Sequence, residues 1–134
     1  MKSEREIIME TYKSESSFFV FDKDLNYANT LFGGKLMSEC DCEAAKVGWM
    51  IVKHINADNA VTRAFNMNFV EPAVKGDLIS MRAYVESIGN TSIKIKVDCY
   101  KILSPSNSVY MGTASTVFVA LKDGKPFKIN INDE

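Results

Sequence analysis

Asp41 is the charged residue whose position asks for a chemical explanation. It falls within the segment Leu31 to Ile55, whose apolar residues recur with helical spacing. With Leu36 set at zero on a helical wheel, Leu36, Val47, Cys40, Ile51, Ala44, Met37, Ile55, Gly48, Val52 and Ala45 fill an arc from about 0° to about 180°. Lys35, Glu39, Glu43, Lys46 and Lys53 gather between about 260° and about 340°, the charged and water-facing side. Asp41 lies at about 140°, between Gly48 and Val52. A carboxylate turned toward the dry side is costly unless something uses it. There it has the chemistry of a general base or a nucleophile. A structural carboxylate at the edge of the stripe, bonded to a loop, would look the same.

A second group precedes it. Phe32-Gly33-Gly34 puts two glycines where the helix must begin. They let a ligand approach the backbone, and a helix start offers unpaired N–H groups with a favourable dipole. Such donors can hold a developing oxyanion. Two adjacent glycines also simply make a tight turn, so the weight lies in the combination with Asp41. Gly34 and Asp41 are separated by about 10 Å along one helix axis. A reacting carbonyl needs donor and base within about 3 Å. Two copies with antiparallel helices across a dimer interface meet that demand better than one.

The surrounding segments supply a sheet for this helix to lie on. Residues 1–16 are polar, apart from Ile7-Ile8-Met9, and read as a frayed lead or a short helix. Phe18 to Phe21 is a short β-prone run ending at Asp22-Lys23-Asp24. From Val61 the period changes to two, with Phe65, Met67 and Phe69 alternating against Ala64, Asn66 and Asn68. Strands follow from Leu78 to about Ile88, from Ile93, where Ile95, Val97 and Cys99 alternate with Lys96 and Asp98, and from Val109 to Leu121. One long helix with a run of antiparallel strands is an α+β pattern.

The 134 residues suit one domain, read as 1–134, and 46% hydrophobic with 25% charged residues is globular composition. Sixteen basic against seventeen acidic residues leave no basic face for nucleic acid. Three cysteines make no disulfide framework and read as reduced thiols in a cytoplasmic protein. One histidine and a C-x-C pair do not make a metal set, so no metal is expected. His54 reads as a surface or helix-end residue. No run is long and apolar enough for a membrane span, and the charged start has no secretory h-region. Trp49, at about 220° on the wheel, is apolar outside the main stripe and fits a surface covered by a partner subunit.

The stretch Asn26-Tyr27-Ala28-Asn29-Thr30-Leu31-Phe32-Gly33-Gly34-Lys35-Leu36-Met37-Ser38-Glu39-Cys40-Asp41 resembles the N-x-x-G-x-[IL]-F-G-G-x-[IL]-M-x-x-x-D signature of hotdog-fold acyl-CoA thioesterases, nearest the small bacterial acyl-CoA hydrolases. Val61-Thr62, Asn68-Phe69-Val70-Glu71-Pro72, Gly76-Asp77-Leu78-Ile79, Gly89-Asn90-Thr91-Ser92 and Gly112-Thr113-Ala114 resemble further family segments in order. The resemblance implies a hotdog fold, one long helix wrapped by a curved antiparallel sheet of about five strands. It implies hydrolysis of acyl-CoA to acid and CoA without metal or other cofactor. Asp41 would be the catalytic carboxylate, Asn26 the residue that positions carbonyl or water, and Gly34 the backbone donor. Gly33, Thr91 and Ser92 would lie near the substrate. Asp41 and Asn26 would come from different protomers of a homo-oligomer, a dimer at least and commonly a hexamer built as a trimer of dimers. Arg63, Arg82, Lys94, Lys96 and Lys101 are candidates for CoA's phosphates. The chain departs at Asn29, where the family commonly has glycine; asparagine also tolerates positive φ. The rival function is a hotdog module that binds acyl-CoA without cleaving it, although sixteen leading residues are too few for a DNA-binding extension.

Overall fold

A computed structural model describes residues 1–131. In chain order the elements are α1 (Glu4–Thr11), β1 (Lys13–Phe19), a 3₁₀ turn (Asp22–Asp24), α2 (Gly33–His54), β2 (Asn59–Met67), β3 (Leu78–Ile88), β4 (Ser92–Ser104), β5 (Asn107–Lys122) and β6 (Lys125–Pro126). The sheet is antiparallel, in the order β1-β3-β4-β5-β2, with the two-residue β6 paired to β5. It wraps one long helix, the α+β architecture expected from the sequence.

The alternation along β4 explains how the helix is held. Ile93, Ile95, Val97 and Cys99 are buried beneath α2, while Lys94, Lys96, Asp98 and Tyr100 occupy the other face. From α2, Leu36, Cys40, Ala44, Val47, Gly48, Ile51 and Val52 enter the same core. A Cβ on Gly48 would stand 3.5 Å from the Phe118 ring, so the helix lies close on β5 there. The Sγ atoms of Cys40 and Cys99 approach to 3.3 Å as free thiols. The adjacent Cys99 thiol, together with burial, pushes the Cys40 thiol far above its ordinary range.

In the N-terminal half the short helix is the alternative that holds for the lead, and the readings of β1's start and of Glu43 change. Residues 4–11 form a helix with Ile8 fully buried, capped by Ser3, whose side chain accepts from the Glu6 N–H. The lead is therefore not frayed, and β1 begins at Lys13, five residues before the apolar run. Glu43, assigned by the wheel to the water-facing arc, is only 1% exposed. Ser14 and Ser16 of β1 donate their hydroxyls to its two carboxylate oxygens, and Lys46 Nζ lies 2.9 Å from Oε1. Burial pushes this carboxyl upward; the bonds from Ser14, Ser16 and Lys46 outweigh it and hold the group below its ordinary range. His54 does sit at the helix end, its Nδ1 2.7 Å from the Tyr12 hydroxyl, where it ties α2 to the segment after α1.

β2 is the outer strand beyond β5, and most of it is exposed. Its register with β5 shifts between Thr62 and Ala64, an irregularity that leaves Arg63 unopposed.

Candidate functional site

The site is built at the N-terminus of α2. The loop before it is closed by its own polar groups. Asn26 Oδ1 accepts from the N–H groups of Ala28 (2.9 Å) and Thr30 (3.1 Å), Asn26 Nδ2 donates to Thr30 Oγ1 (3.0 Å), and Asn26 N–H donates to Thr30 O (2.8 Å). This winding requires Asn29 at φ 63°, which accounts for the family's glycine there and for the asparagine here. Asp24, buried, accepts from Phe21 N–H at 2.9 Å, and its carbonyl accepts from Phe32 N–H at 2.8 Å.

Phe32 caps the helix without a side-chain bond; its carbonyl takes the N–H groups of Lys35 (3.0 Å) and Leu36 (3.3 Å). Among the described residues no acceptor takes the N–H of Gly33 or Gly34, so both remain available to a ligand. The Phe32 ring lies against Gly34 so closely that a Cβ there would come within 2.5 Å of it. Glycine is what allows that packing.

Gly34, Met37, Ser38 and Asp41 occupy one face of α2 and, with Phe65 of β2, line an open groove of about 410 Å³. Asp41 is half-buried, not dry: β2 is the sheet's edge, and its side of the helix stays open. Thr62 Oγ1 donates to Asp41 Oδ1 at 3.3 Å. Thr62, in the Val61-Thr62 pair, carries no pattern in the sequence that marks it for this role. What could not be read was which strand end would come to rest beside Asp41.

On the other side of the same helix turn, Gly33 joins Leu31, Leu36, Ala73, Met111 and the Phe69-to-Pro72 segment around an apolar cavity of about 340 Å³. A Cβ on Gly33 would stand 3.5 Å from the Phe69 ring.

The other predicted residues lie apart from Asp41 within one chain. The Asn26 amide is engaged in its own loop, and Asn26 does not line the groove. Thr91 and Ser92 form the β3–β4 hairpin, where the Thr91 carbonyl accepts from Ala120 N–H at 2.9 Å. Ser92 pairs with Val119, which pairs with Val61, so it lies two strands and about 10 Å from the strand that carries Thr62. It also faces away from the helix, because the next residue, Ile93, is buried beneath it. Of the basic candidates, Arg82 pairs with Glu15, Lys94 and Lys96 with Glu86, and Lys101 with Glu71 and Asp77. Arg63 has no carboxylate partner among the described residues.

Comparison with known proteins agrees with this architecture. Residues 28–102 match the sequence profile of the thioesterase superfamily. An uncharacterised acyl-CoA thioester hydrolase of Bacillus subtilis is 31% identical over 112 residues, which are 82% of this chain and 63% of that protein. The chain thus spans somewhat under two thirds of that relative. The solved acyl-CoA hydrolase of Staphylococcus aureus, in complex with butyryl coenzyme A, coenzyme A and coenzyme A disulfide, superposes with a TM-score of 0.78 at 30% identity, covering 92% of this chain and 72% of that one. A hexameric thioesterase of Yersinia pestis superposes at 0.70 with 27% identity, covering 86% and 93%. Sequence profile, relatives and fold agree, and the chain belongs to the hotdog-fold acyl-CoA thioesterase family.

Proposed function

We propose that this protein hydrolyses acyl-CoA thioesters to a free carboxylic acid and CoA. The observation that carries the reading is that Gly34, with its unclaimed N–H, and the Asp41 carboxylate lie on the face of α2 beside the outer strand β2, where a second copy brings the donors of one chain to the base of the other. The thioester carbonyl oxygen takes the helix-start N–H groups, which stabilise the negative charge that develops as the carbon becomes tetrahedral. Asp41 either takes a proton from the attacking water or attacks the carbonyl carbon itself. In the first case the C–S bond breaks, the thiolate of CoA leaves and takes the proton from Asp41, and water's oxygen ends in the acid. In the second the C–S bond breaks to give an acyl–Asp41 anhydride and the CoA thiolate, and water then attacks the Asp41 carboxyl carbon, so that the acid leaves with an Asp41 oxygen and Asp41 keeps water's. Thr62 fixes one Asp41 oxygen and leaves the other for this step. The CoA ligands of the Staphylococcus aureus structure support the substrate class.

The working unit is a homodimer at least. Gly34 and Asp41 are too far apart on one helix to serve one carbonyl, and β2 with the 63% exposed Trp49 beside it offers the surface for a second copy. Donors from one chain then meet the base of the other, and Asn26 approaches the site across the seam. Arg63 reaches CoA's phosphates. The hexameric Yersinia pestis thioesterase supports a trimer of such dimers. Free buried thiols at Cys40 and Cys99 support a reducing, cytoplasmic setting.

Release of free CoA from a panel of acyl-CoAs tests the reading. Asp41→Asn should lower kcat by about 10²- to 10⁴-fold with the fold retained. Single turnover in ¹⁸O-water separates the two roles of Asp41, since only a nucleophilic carboxylate acquires the label. Tight acyl-CoA binding with no turnover would assign a binding module instead.

A further inference from the structure

We infer that Tyr27 of one copy seats in a notch beside Trp49 of a second copy, and that this contact holds Asn26 in place at the second copy's Asp41. The inference rests on the homodimer reading above.

Symmetry fixes the centre of the seam. If the Gly34 N–H of one helix serves the Asp41 of the other, the reverse holds as well, so the two-fold axis passes beside Met37 and Ser38, midway between the two positions. Counted from there at about 1.5 Å per residue, the partner's helix begins about 7 Å away and Trp49 stands about 17 Å away. Trp49 therefore overhangs the partner's helix start by about 10 Å and meets the loop that leads into it. The face is the right one. Gly34, Asp41, Ala45 and Trp49 share an arc of about 80° on the helical wheel.

Beside Trp49, between α2 and the start of β2, lies a notch of about 200 Å³. Gly48, Val52 and Phe118 give it an apolar floor, and the exposed Asp58 stands at its rim. A dry cavity of about 150 Å³ holds benzene, so this notch takes one phenol ring. Asp58 Oδ2 accepts from Asp123 N–H at 2.8 Å, and among the described residues no donor takes Oδ1, which is left for a hydroxyl.

Tyr27 supplies both the ring and the hydroxyl. It is fully exposed, with no hydrogen bond or ring contact among the described residues. An aromatic with an apolar body and a polar tip is the kind of anchor that fills a pocket at an interface. Ala45 lines the notch one helical turn beyond Asp41, about 6 Å along the axis, so adjacent side chains can reach both places. The turn that joins Asn26 and Tyr27 is held by bonds among Asn26, Ala28 and Thr30, so fixing the ring fixes the Asn26 amide. Asn26 Nδ2 spends one hydrogen on Thr30 Oγ1 and keeps the other for the site.

Trp49 is the one tryptophan of the chain, so its fluorescence reads the contact. In the full-length wild type, dimeric by light scattering, emission should be blue-shifted and resist acrylamide. In Tyr27→Ala it should shift to the red and quench readily, with kcat lowered about ten- to a hundredfold and KM changed far less. Tyr27→Phe, which keeps the ring, should recover most of both. Should Tyr27→Ala part the chains, the double variant Tyr27→Cys, Asp58→Cys decides. A disulfide-linked dimer on mild oxidation, absent from either single variant, supports the seat, and its failure to form overturns it. A dimeric, active wild type whose Trp49 quenches as in the unfolded chain, or a dimeric Tyr27→Ala with quenching or kcat unchanged, overturns the seat and leaves the hydrolase and dimer readings intact. Protection of Trp49 that appears only when CoA is added also overturns it. A monomeric wild type, or one that turns over no acyl-CoA, overturns the reading it rests on as well.

Discussion

Replacing Glu43 with alanine tests how the helix is fastened to β1. The carboxylate is 1% exposed and takes the hydroxyls of both Ser14 and Ser16. Hydrogen bonds to a charged group contribute about 1.5–3 kcal/mol each. Lys46 is 55% exposed and adds little. The two serines are half-buried, so water recovers part of what they lose. The net loss expected is about 3 kcal/mol, or about 10 °C in Tm for a chain of this length. The loss must also depend on pH. Glu43 is held below its ordinary pKa, so its contribution is complete above the unfolded-state value, about 4.3, and disappears as pH falls through the folded-state value. Thermal melts of wild type and Glu43→Ala at equal protein concentration, at pH 7 and again at pH 3, should show the gap narrowing in acid. A variant as stable as wild type at pH 7, or a gap of equal size at both pH values, would refute the reasoning.

Thr62→Val removes the bond to Asp41 while nearly preserving shape, and should lower kcat several-fold with KM changed little, read in steady-state CoA release. Gly112 has φ 148°, and a Cβ there would stand 2.1 Å from Asn68 O; Gly112→Ala should therefore cost more than about 2 kcal/mol in urea unfolding. Cys40 and Cys99 should resist alkylation until the chain unfolds, because both are buried and the Cys40 thiol ionises only well above the ordinary range; mass spectrometry of native and urea-treated protein checks this.

What could be read from the sequence follows how each element is stabilised. β3, bounded by Gly76-Asp77 and Gly89-Asn90, and the alternating β4 announce themselves, because burial of one face writes a period of two into the residues. β1 does not. Its inward positions are Ser14, Ser16 and Phe18, and the two serines are accommodated by Glu43 instead of by apolar contact. A polar pair matched across an interface leaves no apolar pattern at either partner, so the strand's start and the burial of Glu43 were both missed for one reason. Asp41 was found because it broke a pattern. Its surroundings were not, since the openness of its groove depends on β2 being the outermost strand, and that order is decided by pairing between segments far apart in the chain.

The irregularity at Arg63 bears on how this protein avoids polymerising. Until a second copy covers it, an outer strand with a free row of amides and carbonyls invites stray chains to zip onto it. Here one surplus residue interrupts the row midway, so an intruding segment in step with the first half is out of step with the second, and it must lie against a guanidinium besides. Straightening that stretch, by deleting Arg63, would offer a continuous template to any extended peptide in the cell.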